Sequence, residues 1–162
     1  MATPEELAYC AGVIDSDGCI RVGRGVKRDK RAGKHSAYAD YHPAVHVGQV
    51  EPQAVDLLKR VFGGSIYLRK RDKKAHRTLM VWRVRDNLAA ECARQLLPYL
   101  RIKKAQALNC IALQDYRHEY GRQSRAVKGR AGTTFRTADV IQRLEEFYAE
   151  SRRLNAGSTE EP

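Results

Sequence analysis

The spacing of apolar positions changes early in the chain, from helical to alternating. Leu7, Ala8, Ala11, Gly12 and Ile14 follow one another at near-helical intervals, and Thr3-Pro4-Glu5-Glu6 before them has the form of a capping box with proline at the first helical position. Such a start stabilises a helix by about 1 kcal/mol. The helix is predicted to stop around Asp15 to Gly18. From Cys19 the period is two: Ile20, Val22 and Val26 fall on one face, and Arg21, Gly23, Gly25 and Lys27 on the other. That is the pattern of a half-buried strand with a basic outer face.

The same two periods alternate further on. Lys27 to Ser36 (KRDKRAGKHS) reads as a basic, solvated hairpin loop, followed by a second strand from about Ala37 to Val50. Pro43 interrupts that strand, and proline favours an edge or a bulge because it has no N–H for the ladder. Pro52 opens a second helix carrying Val55, Leu58, Val61 and Phe62, closed by Gly63-Gly64. Ser65 to Lys70 and Thr78 to Arg85 form a second hairpin around Asp72-Lys73-Lys74. Leu79, Met80, Val81 and Trp82 are apolar on both faces, so the facing of this fourth strand, with Arg77 and Arg83, stays open. Asp86 is placed to cap a third helix with Leu88, Ala89, Cys92, Ala93, Leu96 and Leu97 inward. A fourth helix over roughly Lys103 to Tyr120, a basic linker from Arg122 to Gly132 and a last helix from about Thr137 to Arg153 follow. The tail Asn155 to Pro162 is small and polar and is expected to be disordered. The result is one α+β domain over 1–154, with a core of about 5–120 and a C-terminal helical part of about 121–154.

Composition adds a partner. The 162 residues carry 30 Lys and Arg against 19 Asp and Glu, a formal charge of +11. A balance this basic points to a polyanion, of which nucleic acid is the commonest. No apolar run approaches the roughly 18 residues of a membrane span, and the acidic start Met1-Ala-Thr-Pro-Glu-Glu does not resemble a signal or transit peptide. An intracellular location is expected. Cys10, Cys19, Cys92 and Cys110 lack any C-x-x-C spacing and read as reduced cysteines rather than a disulfide or zinc framework.

The candidate chemistry sits where the first helix ends. Cys10-Ala-Gly-Val-Ile-Asp-Ser-Asp-Gly18 resembles the signature of the LAGLIDADG homing endonucleases, with identity at Ala11, Gly12, Ile14, Asp15, Asp17 and Gly18. The motif ends a capped helix and runs straight into a strand, as in that family, whose αββαββα core matches the element order over roughly residues 5 to 120. The small Ala11 and Gly12 would let a second helix approach closely. The resemblance implies that this helix is a second copy of the same motif, and a chain with one motif must then form a homodimer. Asp17 stands just past the helix end, and two such carboxylates meet only with a cation between them. The resemblance implies a Mg2+ ion, for which Mn2+ substitutes in such sites, held by Asp17 with the backbone carbonyl of Ser16. Asp15 is expected to be structural. The resemblance further places Gln49, at the end of the second strand, near the attacking water, and Lys103, with Lys104 as the competing choice, near the scissile phosphate. Where some relatives carry a basic residue shortly after that glutamine, this chain has Pro52-Gln53.

The implied substrate is double-stranded DNA, with the four-stranded antiparallel sheet as a saddle in the major groove. Arg21, Arg69 and Arg71 suit contacts to guanine edges, His42 and His46 could join them, and Gly23 and Gly25 would permit close backbone approach. The loops Lys27 to Lys34 and Lys70 to Lys74, with Lys128 and Arg130, would touch phosphate. The expected activity is a double-strand break in a long pseudo-palindromic site that promotes intron or intein mobility. The same saddle could instead serve an RNA maturase acting on intron RNA, or a DNA-binding regulator without catalysis.

Overall fold

A computed structural model of the chain describes residues 2–29, 36–69, 78–128 and 137–156. Helices α1 (Pro4–Asp17), α2 (Pro52–Phe62), α3 (Asp86–Leu96), α4 (Lys104–Lys128) and α5 (Ala138–Asn155) accompany strands β1 (Gly18–Asp29), β2 (Ser36–Gln49), β3 (Ser65–Arg69) and β4 (Leu79–Arg85). The strands form one antiparallel sheet in the order β1-β2-β4-β3. This is the α+β, αββαββα arrangement with further C-terminal helices expected from the sequence.

Local signals set the boundaries of α1. Thr3 and Glu6 form the reciprocal capping box: the Glu6 amide donates to Thr3 Oγ1 at 3.3 Å, and the Thr3 amide donates to Glu6 Oε2 at 3.1 Å. At the other end the Gly18 N–H donates to the Ile14 carbonyl as the chain turns directly into β1. A Cβ at Gly18 would lie 2.7 Å from Ile14 Cα, so only glycine lets the strand leave the helix this tightly.

One sheet face is covered by helices. Ile14, Ile20, Val45, Val47, Leu58, Trp82, Val84, Ala89 and Leu96 are buried in a common core, and the Trp82 indole donates to the Gly63 carbonyl at 2.8 Å. This settles the facing of the fourth strand: Trp82 and Val84 point inward, while Arg83 is exposed, its guanidinium 5.5 Å from the Tyr67 ring. Val26, expected inward, is 72% exposed because β1 runs out beyond the core.

Pro43 lies in an interior strand, at a place where its missing N–H costs nothing. Pairing with β4 begins at Ala44, and Val22, opposite Pro43, turns its own N–H outward to Ser151 Oγ at 2.8 Å. Helix α5 thereby covers the open edge of β1, with Asn155 Nδ2 donating to the Ile20 carbonyl at 3.1 Å. Asn155 is thus the last residue of a helix rather than the start of a loose tail; residues 157–162 lie outside the described residues. Helix α4 runs on to Lys128 through most of the expected linker. Asp86 does not cap α3: it opens the helix with φ 54°, and its carboxylate accepts from Arg117 at 2.7 Å. All four cysteines are free, and burial pushes the Cys10 thiol up to about 11 and that of Cys110 to about 12.

Candidate functional site

The end of α1, the end of β2 and the turn before α4 converge. Asp17 is exposed, and Gln49 Nε2 donates to its Oδ2 at 2.8 Å across 32 residues of sequence. The Ser16 hydroxyl lies 3.4 Å from the same oxygen and also donates to the Val13 carbonyl at 3.2 Å. Asp17 makes no ion pair with a described residue, so its charge is met only by neutral donors.

Asp15 and Lys103 fasten this end together. The Asp15 carboxylate accepts the backbone N–H groups of Arg101 at 2.6 Å, Ile102 at 3.3 Å and Lys103 at 3.0 Å. Partial burial pushes the Asp15 carboxyl up, but those three donors and the Lys103 ammonium outweigh it and hold it below the usual carboxylate range. Lys103 Nζ donates in turn to the carbonyls of Ile14 (2.8 Å) and Asp15 (2.5 Å). These are last-turn carbonyls at the negative end of the helix dipole, where a cation is favoured. Ser16, whose carbonyl was a candidate ligand, lies in the same last turn, among the acceptors a helix cannot satisfy internally. Lys104 is exposed at the first residue of α4.

Among the described residues no three His, Cys, Asp or Glu side chains come together as a metal cage. One subunit offers a single exposed carboxylate with a last-turn carbonyl beside it. These are hard oxygen donors of the kind Mg2+ takes.

Ala11 and Gly12 part company. Ala11 is wholly buried in the subunit's own core and has no surface left for a partner, which corrects its assignment to a dimer interface. Gly12 faces outward, with nothing within 4 Å of where its Cβ would be. The outward face of α1 carries Ala8, Tyr9 and Gly12, with Tyr9 54% exposed, and no charged residue stands between Glu6 and Asp15. The helix is therefore apolar on its core side and uncharged along its outer side. Ile102, whose N–H is held by Asp15, is 72% exposed beside the helix end.

The sheet face away from the core is the candidate nucleic-acid surface. Register places Arg21, Ala44 and Arg85 in one row, Cys19, His46, Arg83 and Ser65 in the next, and Arg69 opposite Leu79 near the end of β3. Arg21, Arg69, Arg83 and Arg85 are exposed. Burial first, then the cations of Arg21 and Arg83, push the His46 imidazole below its ordinary range, so it is neutral at pH 7. His42 departs from expectation. It is only 7% exposed and cannot reach freely into a groove. Gly23 does not open a path for DNA either, since the space its side chain would take is filled by the His42 ring. Arg71, Arg77, the turn 72–74 and most of the loop 27–36 lie outside the described residues. Sequence reading missed Arg85; the alternation of Trp82 and Val84 with Arg83 and Arg85 was its only signal.

No protein-family model matches the sequence, nor does any curated protein. Solved structures do match in fold. The homing endonuclease I-CvuI in complex with its target in the presence of 2 mM Ca aligns with a TM-score of 0.64 and 17% identity, over 98% of this chain and 87% of that one. The homing endonuclease I-TnaI aligns with a TM-score of 0.55 and 16% identity, over 93% of each chain. The LAGLIDADG homing endonuclease I-GzeII in complex with its DNA target aligns with a TM-score of 0.55 and 15% identity, over 88% of this chain but only 43% of that one. The chain thus has the homing-endonuclease fold, in agreement with the single LAGLIDADG-like motif at the end of α1.

Proposed function

We propose that this protein is a homodimeric, site-specific DNA endonuclease that uses Mg2+ to make a double-strand break in a long, pseudo-palindromic target, the activity by which introns or inteins spread. One observation carries the reading: an exposed carboxylate, Asp17, held by the Gln49 amide at 2.8 Å, at the end of a helix whose outer side is uncharged. A helix with no charge on either side from Leu7 to Ile14 is suited to burial on both sides. A second copy packed at Gly12 would supply that burial and bring a second Asp17 to the first. I-CvuI and I-TnaI match over nearly their whole chains, whereas this chain spans under half of I-GzeII. The fold thus occurs in chains of one unit's length and in chains of more than twice that, as expected if two units make one enzyme.

In this reading Asp17 and the Ser16 carbonyl hold the metal. When bound, the ion would polarise a phosphate oxygen and acidify a water. Gln49, while donating to one Asp17 oxygen, has its own carbonyl oxygen to accept a hydrogen bond from a water at the same place. Lys103 uses two N–H groups on the end of α1 and has a third for a phosphate oxygen, where it offsets developing negative charge. Asp15 fixes the 101–103 turn, and with it Lys103, against the helix. Arg21, His46, Arg69 and Arg83 present donors to the major groove, the neutral His46 able to donate and accept.

The test is a selection for cut molecules from a randomised double-stranded DNA library, run with Mg2+ and with chelator. Recovery of a symmetric site only in the metal arm is expected. Failure to cut any member, or cutting that survives chelation, would overturn the proposal.

A further inference from the structure

On the outward sheet face, away from the end of α1, lies a polar cluster that the proposed mechanism does not use. Arg85, the last residue of β4, is exposed, yet its Nη2 lies 2.6 Å from His42 Nε2 and 3.2 Å from His42 Nδ1. The His42 ring sits in the space left by the absent side chain of Gly23: a Cβ there would be 2.5 Å from Nε2. Behind the ring is Asp40, 5% exposed, with Oδ2 3.7 Å from His42 Nδ1 and Oδ1 3.2 Å from Lys27 Nζ. The cluster thus holds the exposed guanidinium by one terminal nitrogen, Nη2, leaving Nη1 and the second Nη2 hydrogen to face outward, and Arg85 makes no ion pair with a carboxylate among the described residues.

We propose that Arg85 is a specificity-determining residue that reads a guanine in each half-site, and that His42, seated on Gly23 and backed by Asp40, is the positioning residue that aims it. The inference rests on the DNA-cutting reading above. A surface arginine meant only for phosphate needs charge within reach of the backbone, not a fixed direction. Reading the O6 and N7 of guanine needs the planar fork held in one orientation, because both bonds must form together. An imidazole buried in a tailored gap and backed by a buried carboxylate supplies such a hold.

Register also gives the place in the target. Met80 pairs with Gln49, which touches Asp17, and Arg85 stands five residues further along β4. At ~3.3 Å per strand residue and ~3.4 Å per base pair, that is about five base pairs outward from the cut in each half.

The experiment compares the library-selected sites of wild type, Arg85→Lys, Arg85→Ala, His42→Ala and Gly23→Ala, with thermal melts of each and the salt dependence of binding to a non-target duplex. Lysine keeps the charge and loses the fork. Arg85→Lys is expected to lower guanine preference at that one symmetric pair of positions by roughly tenfold or more, with other positions and the salt slope unchanged. His42→Ala and Gly23→Ala should relax the same position, more weakly. If Arg85→Ala instead weakens binding to all sequences alike and lowers the salt slope by about one, Arg85 is a phosphate contact and the proposal is overturned. It is equally overturned if folded His42→Ala and Gly23→Ala proteins keep the wild-type profile. A wild type that selects no site at all brings down the endonuclease reading itself, a result distinct from an unchanged profile among active variants.

Discussion

Two aspartates on the same α1–β1–β2 unit have opposite surroundings. Asp17 is exposed and, among the described residues, is met only by the Gln49 amide and the Ser16 hydroxyl. Asp40, near the other end of the strand pair, is 5% exposed and is met by Lys27 and His42. Burial pushes the Asp40 carboxyl up, but those two partners, with Arg117 nearby, hold it at about 2. A buried carboxylate must be neutralised from within the fold or it does not stay charged. An exposed one left to neutral donors stays available to a cation from outside. The difference separates a charge held inside the fold from one left open to the surroundings.

The sharpest way to break this comparison is Asp17→Asn. The variant should fold, bind target DNA and lose cleavage on the order of a thousandfold or more; single-turnover cleavage at the wild-type rate would remove Asp17 from the chemistry. Next in size is Gly12→Leu. Outside its own helix turns, no described residue stands within 4 Å of the added Cβ, and leucine favours a helix over glycine, so the chain should keep or raise its melting temperature at monomeric concentrations while sedimentation shows the proposed dimer lost. A dimer of unchanged affinity would place the interface elsewhere. Gly18→Ala tests the turn from helix to strand. Its Cβ would meet backbone atoms of Ile14 at 2.7 and 2.8 Å, an overpacking that costs about 1–3 kcal/mol and should show in chemical denaturation. Full stability would mean that the turn relaxes freely.

The smallest effect concerns Asp40 and pH. Its carboxyl is held at about 2 in the fold against an ordinary 3.8. The unfolded chain therefore takes up the proton first as pH falls. The contribution of the ionised group is complete above about pH 4 and fades as pH falls through 2. Asp40→Asn should be less stable than wild type at pH 6, and the gap in melting temperature should narrow between pH 4 and 2. A constant gap would mean that the carboxylate's charge is not what stabilises the site.

The start and end of α1, the switch to strand period at Gly18 and the Gly63-Gly64 stop were legible because each is written in neighbouring residues. Asp17 and Gln49 were legible as candidates through the motif, though their contact is a tertiary fact. Other readings failed where a face had to be chosen. Ala11 and Gly12 are adjacent, and only packing against α3 and the sheet decides that one is core and the other surface. His42 alternates with His46 on a strand and looks equally free, yet the gap at Gly23 and the pull of Asp40 bury it.

What the chain determined by itself is the succession of elements and the surplus of positive charge, since both depend on local preference or simple counting. What the tertiary structure decided is which polar groups are satisfied inside. Lys103 closes the end of a helix through the carbonyl of Asp15, 88 positions before it, and Arg85 is held by a histidine 43 residues away. Contacts of that range arise only when sheet register and helix docking are fixed together, because each pairing is favourable only in the geometry the others impose.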